Sequence, residues 1–224
     1  LFRSSAASDV YKRQARNKAM NMFSSFENFK AIRKKAEDSR KDANRPHEVL
    51  YFHKVDDPYS HLTIHFIEKF KSTYDVKFKS ILVGEENPAA LHEPSLYTDY
   101  CLEDVKRIAP FYGVDFPGID YPKKDLVNKA NAILSAVSEE EFESIAKQVS
   151  HAIWSGDQEK LNSLGESYQT SEAEVIEKLK TGNEIRNNCD YYFGSAFYYE
   201  KELYWGVDRL NPVSYTHLTL PTNG

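Results

Sequence analysis

At 224 residues, 41% of them hydrophobic and 28% charged, the chain can bury one ordinary core with a helical subdomain inserted into it. A formal net charge of -5 gives no global attraction for a polyanion and argues against nucleic acid as a partner. No apolar run approaches the ~20 residues that span a bilayer, which argues against a membrane partner.

The two ends stand apart from their neighbours. Residues 1–14 (LFRSSAASDVYKRQ) and 213–224 (VSYTHLTLPTNG) lack the periodicity of the adjoining segments and are expected to be non-native, as translated cloning sequence would be. The native N-terminus is then not visible, and a last helix is expected beyond Leu210. From Ala15 to about Asn44, Met22, Phe26, Phe29 and Ile32 recur at three- and four-residue steps, predicting an N-terminal amphipathic helix over 15–45. Its Lys30, Arg33, Lys34, Lys35, Arg40 and Lys41 are interleaved with Glu37, Asp38 and Asp42, which favours a solvated face over an anionic partner.

Glu48–His53 is a short run of strand formers that leads through Lys-Val-Asp-Asp-Pro into a helical pattern marked by Leu62, Phe66, Ile67 and Phe70. Residues 75–83 alternate as a second strand does, so strand, helix and strand form a βαβ unit. A helix opens at Glu93-Pro94 and runs through Cys101, Val105 and Ile108 until Pro110 and Gly113 punctuate it. Between Lys124 and about Gly182 three or four helices are expected, one of them opened by a capping box from Ser138 to Glu141. Residues 196–199 and 202–205 are aromatic runs separated by Glu200 and Lys201, as in a hairpin.

Motifs at both ends of this order carry a family resemblance. The segment VLYFHKVDDPYSHL (residues 49–62) resembles the first strand and active turn of DsbA-type proteins, especially 2-hydroxychromene-2-carboxylate isomerases and kappa-class glutathione transferases. The segment FYYEKELYWGVDRL (197–210) is similar to the closing hairpin and Trp-Gly-x-Asp-Arg turn of the same group. The resemblance implies an α/β, thioredoxin-like fold of the DsbA type over 46–212, with a helical insertion at about 90–190 between the βαβ half and the C-terminal hairpin.

In that group the residue before Pro-Tyr does the work: cysteine in disulfide oxidoreductases, serine in the glutathione-dependent branch. Here it is Asp57, and the second redox position is Ser60, so this turn offers no thiolate for disulfide exchange. The group's cis-proline position falls on Ser195, beside Gly194, where a trans peptide is expected because a cis bond costs roughly 2.5–4 kcal/mol before a non-proline. An ionised Asp57 would oppose a bound thiolate rather than stabilise it.

Two readings of Asp57 remain open. As an acceptor at a helix start, followed by Pro58, it is a good N-cap; with Asp56 beside it, it is also a candidate general base. By resemblance, Asp208 and Arg209 hold the γ-glutamyl end of glutathione, with Asp208 as the N-cap of the last helix an equal alternative, while Tyr59, Gly194 and Ser195 line its cleft. His61 and His65 lie four residues apart, but no fuller ligand signature accompanies them, so no metal is expected. Cys101 and Cys189, in unrelated contexts, fit no disulfide framework and suit a cytoplasmic location.

Two functions compete. The first is a divergent isomerase- or transferase-like enzyme that binds glutathione or another small molecule, with Asp57 and Ser60 as its catalytic group and Asp56 as a further candidate. The second is a non-catalytic binding or scaffold protein on the same fold. The sequence places the first narrowly ahead, a polar cleft favouring it and a filled cleft favouring the second. A homodimer is compatible with either.

Overall fold

The computed structural model describes residues 12–14, 16–18, 20, 21, 25–85, 91 and 93–210. Met22 and the segment 213–224 lie outside the described residues, as does most of 1–14. The chain divides into two compact units, Leu1–Pro46 and His47–Gly224.

The first unit contains helix α1, Phe26–Asp42. Ser25 opens it, its hydroxyl accepting from the Asn28 N–H at 3.2 Å. Pairs along the helix surface support it: Lys34 with Asp38 at 2.6 Å, and Arg40 with Glu37 at 2.8 Å. None of the described residues up to Pro46 is buried.

The second unit is built around a sheet with the order β2-β1-β3-β4. Its elements are β1 (Glu48–His53), α2 (Pro58–Thr73), β2 (Lys77–Leu82), α3 (Pro94–Ile108), α4 (Lys124–Ala136), α5 (Phe142–Ser155), α6 (Gln158–Ser167), α7 (Glu172–Asn188), β3 (Ala196–Tyr199) and β4 (Glu202–Trp205). This is the predicted order, with the helical insertion between β2 and β3. β1 pairs parallel with β2 and antiparallel with β3, so it is one of the two inner strands of the sheet, β3 being the other. The β3–β4 hairpin turns at Glu200 and Lys201, whose φ angles of 44° and 70° are the left-handed pair that a tight two-residue turn needs.

Alternation along β1 separates two cores. Val49 and Tyr51 join α2 and the helical insertion in the larger one, whereas Phe52 packs with Ile81, Val83 and Ala196 in the smaller. Ile185 and Cys189 reach that smaller core from the α7 region. The close approach depends on Gly182, where an added Cβ would sit 1.9 Å from the Leu82 carbonyl oxygen. One turn on, the buried Arg186 guanidinium donates to the carbonyls of Gly84 and Glu85 and ties the chain after β2 to α7.

One local expectation is corrected. Ser138 accepts from the Glu141 N–H, but the Glu141 carboxylate takes the Ser138 hydroxyl rather than its N–H, and α5 begins only at Phe142. The reciprocal capping box stands instead at Ser171 and Glu174, opening α7. Among the described residues, no helix is long and apolar enough to cross a membrane.

Candidate functional site

The turn between β1 and α2 is held by side chains aimed at backbone. Asp57 is the N-cap of α2; its carboxylate accepts from the N–H groups of Tyr59 at 3.2 Å and Ser60 at 3.0 Å. Pro58 follows at the first helical position, where a missing N–H costs nothing. The Ser60 hydroxyl donates to Asp57 Oδ2 at 2.7 Å and accepts from the Lys54 N–H at 3.2 Å, with no part of the residue exposed. Asp56 turns to Lys54, 3.3 Å from its Nζ.

The segment before β3 closes over this turn. An added Cβ on Gly194 would lie 2.8 Å from both Asp57 Oδ2 and Lys54 Cβ, so glycine lets this segment come against the side chains of the turn. Ser195 is fully buried, with φ at 51°, and its hydroxyl pairs with that of Thr63 at 2.7 Å. Its carbonyl accepts from the Gly206 N–H at 2.9 Å. No peptide bond among the described residues is cis, and Ser195 occupies a left-handed conformation within these bonds.

Aromatic rings fill the remaining space. Phe193 stacks on Tyr97 with ring centroids 5.1 Å apart and also meets Trp205, which packs edge-on against Tyr59. The Tyr59 hydroxyl donates to Asp104 at 2.7 Å, and burial together with that carboxylate raises its pKa above the phenol range. What is left beside Asp57 is a cavity of about 50 Å³ bordered by Lys54, Asp56, Tyr97, Cys101, Tyr121 and Phe193. That is room for a water or two, against the roughly 300–1,000 Å³ of ordinary small-molecule sites. Burial pushes the Cys101 thiol up to about 11.

The structure therefore brings together Asp56, Asp57, Ser60 and Gly194, with Ser195 and Tyr59 packed close by. It does not bring Asp208 and Arg209 to the cavity wall. They lie in the short helical turn Val207–Arg209, more than half exposed, with Arg209 Nε 3.3 Å from the Asp208 carboxylate. Thr63, Tyr97, Asp104 and Phe193 escaped the sequence reading. The run Tyr191-Tyr192-Phe193 directly before Gly194 was the available signal for the aromatic filling.

His61 and His53 are buried in the packed interior. His61 Nε2–H donates to the Asp115 carbonyl and Nδ1 accepts from the Ser150 hydroxyl, both at 2.8 Å. Burial lowers its pKa to about 4, and that of His53 to about 3. No group of three metal-ligating side chains occurs among the described residues.

No family model matches the chain, and no curated protein matches it. Solved structures do. 2-Hydroxychromene-2-carboxylate isomerase superposes with a TM-score of 0.55 at 17% identity, over 75% of this chain and 93% of its own. A candidate protein disulfide isomerase from Nitrosomonas europaea gives 0.56 at 14% identity, over 76% and 96%. The fold is thioredoxin-like, of the DsbA type. Within the thioredoxin-like fold, the turn at Asp57 and the buried Gly194-Ser195 segment face each other at the C-terminal end of β1, and both are closed by protein atoms.

Proposed function

We propose that this chain is a divergent DsbA-type, isomerase-like protein that works by binding and has given up catalysis at the turn. The observation that carries this reading is the occupied turn. The Asp57 carboxylate caps α2 and also accepts the Ser60 hydroxyl, so each polar group a reaction would use already has a structural partner. The filled cleft supports it: Tyr97 and Phe193 stack beside the turn, and the cavity they border holds about 50 Å³. Disulfide exchange finds no thiol at positions 57 and 60, and the buried Cys101, with its raised pKa, is a poor nucleophile.

A second reading, a glutathione- or small-molecule-dependent isomerase or transferase, is favoured by one feature. The residual cavity opens directly on Asp56, Asp57 and Lys54, where a small polar group would meet them. Calorimetric titration of reduced glutathione into the folded protein, beside an Arg209→Ala variant, separates the two. The binding-protein reading expects no saturable heat in either protein. Saturable binding that is lost in the variant would overturn it and install the glutathione site.

A further inference from the structure

Residues 114–123 run from the short helical turn Ala109–Tyr112 to α4. Among the described residues, none of 115–120 makes a backbone–backbone hydrogen bond, so this stretch is held in place through side chains. His61 Nε2–H donates to the Asp115 carbonyl at 2.8 Å, Lys106 Nζ to the Ile119 carbonyl at 2.9 Å, and the Tyr121 hydroxyl to the Thr98 carbonyl at 3.0 Å. The Phe116 ring lies 5.3 Å from that of His61 and 5.0 Å from that of Trp154, and Tyr121 also packs on Trp154. The stretch thus covers a buried imidazole and a buried indole.

Of the three donors, Lys106 is a cation throughout and Tyr121 a neutral phenol, whereas His61 changes charge in mildly acid water. Its Nδ1 accepts from the Ser150 hydroxyl on α5 at 2.8 Å, so a second ring proton would meet an O–H there. Most of the titratable groups that face it become cations themselves: His65 on α2, with ring centroids 5.0 Å apart, His151 on α5 and His53 on β1. Lys147 on α5 lies beside His65 and pairs with Glu68. Among the described residues, the carboxylate that favours the charged ring is Asp115, on the linking stretch itself and 3.4 Å from His151.

We propose that residues 114–123 are an acid-released strap: protonation of His61 frees Asp115 and lifts Phe116 off Trp154 while the sheet stays folded. The closed strap and the proton compete for one imidazole. Burial holds the His61 pKa at about 4 with the strap shut, and contact with water returns it to about 6.5. Linkage then favours opening about tenfold for each pH unit below 6.5, and on the order of 300-fold by pH 4. At neutral pH the strap is shut. Tyr121 borders the cavity beside Asp57, so the device acts on one wall of that cavity, whether or not the cavity takes a ligand.

Nuclear magnetic resonance of the full chain, titrated downward from neutral pH, tests this. The His61 ring, the Phe116 ring and the Trp154 indole are expected to move together, with one midpoint above pH 4 and below 6.5, while the amides of β1 keep their positions. His61→Gln keeps a side-chain N–H for the Asp115 carbonyl and cannot take the proton, so its Trp154 signal is expected to stay fixed over the same range. Should that variant fail to fold, the wild-type titration decides alone. His61 titrating near pH 4 with Trp154 unmoved overturns the proposal. A Trp154 signal that moves in His61→Gln as it does in wild type also overturns it, because another group then drives the release. Loss of the β1 amides together with the Trp154 signal overturns it in favour of global unfolding.

Discussion

Asp57 sits where an active-site residue is expected and makes the bonds of a helix cap, and its effect on stability distinguishes the two roles. Asp57→Ala removes the acceptor for two N–H groups and a buried hydroxyl, so it should cost about 1–2 kcal/mol, with Asp57→Asn costing less. Urea denaturation measures both. A residue kept for chemistry at the expense of the fold would behave in the opposite way, its removal being neutral or stabilising. Gly194 supplies an independent check on the same contact. Its Cβ position is 2.8 Å from a carboxylate already tied to the α2 backbone, so Gly194→Ala should lower stability by about 1–3 kcal/mol. An unchanged urea midpoint for Gly194→Ala would mean that the two segments do not touch in solution.

At the scale of elements, the interface between α2 and α5 contains a pH dependence. His61 is held neutral between Asp115 and Ser150, with its pKa lowered to about 4 by burial, and His53 is lowered to about 3 by burial and by His61. In the unfolded chain both return to about 6.5. The unfolded state therefore binds protons first, so this stability is complete above about pH 6.5 and declines as pH falls toward 4. At pH 5 the loss is on the order of 2 kcal/mol per histidine, and His61→Gln should show a flatter profile than wild type in urea titrations between pH 7 and 5. These elements were legible in the sequence because local patterns specify them. β1 is a run of strand formers, Asp57-Pro58 is a cap pair, and two residues separate the hairpin strands. The α5 start was misread because Ser138 and Glu141 satisfy the capping pattern with a turn rather than a helix. The closure of the site was not legible, since it rests on Phe193 meeting Tyr97 and Gly194 meeting Asp57 across more than ninety positions of sequence.

At the scale of the whole molecule, the question is whether the cleft stays shut while the rest of the unit remains folded. Cys101 can report on this, because it borders the cavity beside Asp57 and is also part of the large core. Burial both shields its thiol and raises its pKa to about 11, so in the native state it should react slowly with a thiol reagent, and the half-buried Cys189 should react first. Two kinds of opening can expose Cys101, and they respond differently to denaturant. Local breathing of the cleft uncovers little surface, so the labelling rate would hardly change with low urea. Global unfolding uncovers the whole core, so the rate would rise steeply, with the slope of equilibrium unfolding. A cleft filled by Tyr97 and Phe193 has no small motion that frees Cys101 alone, and the steep dependence is expected. A flat dependence would reveal a cleft that opens in the native state and would move the balance toward the small-molecule reading, because the same opening that admits the reagent would admit a ligand to Asp57.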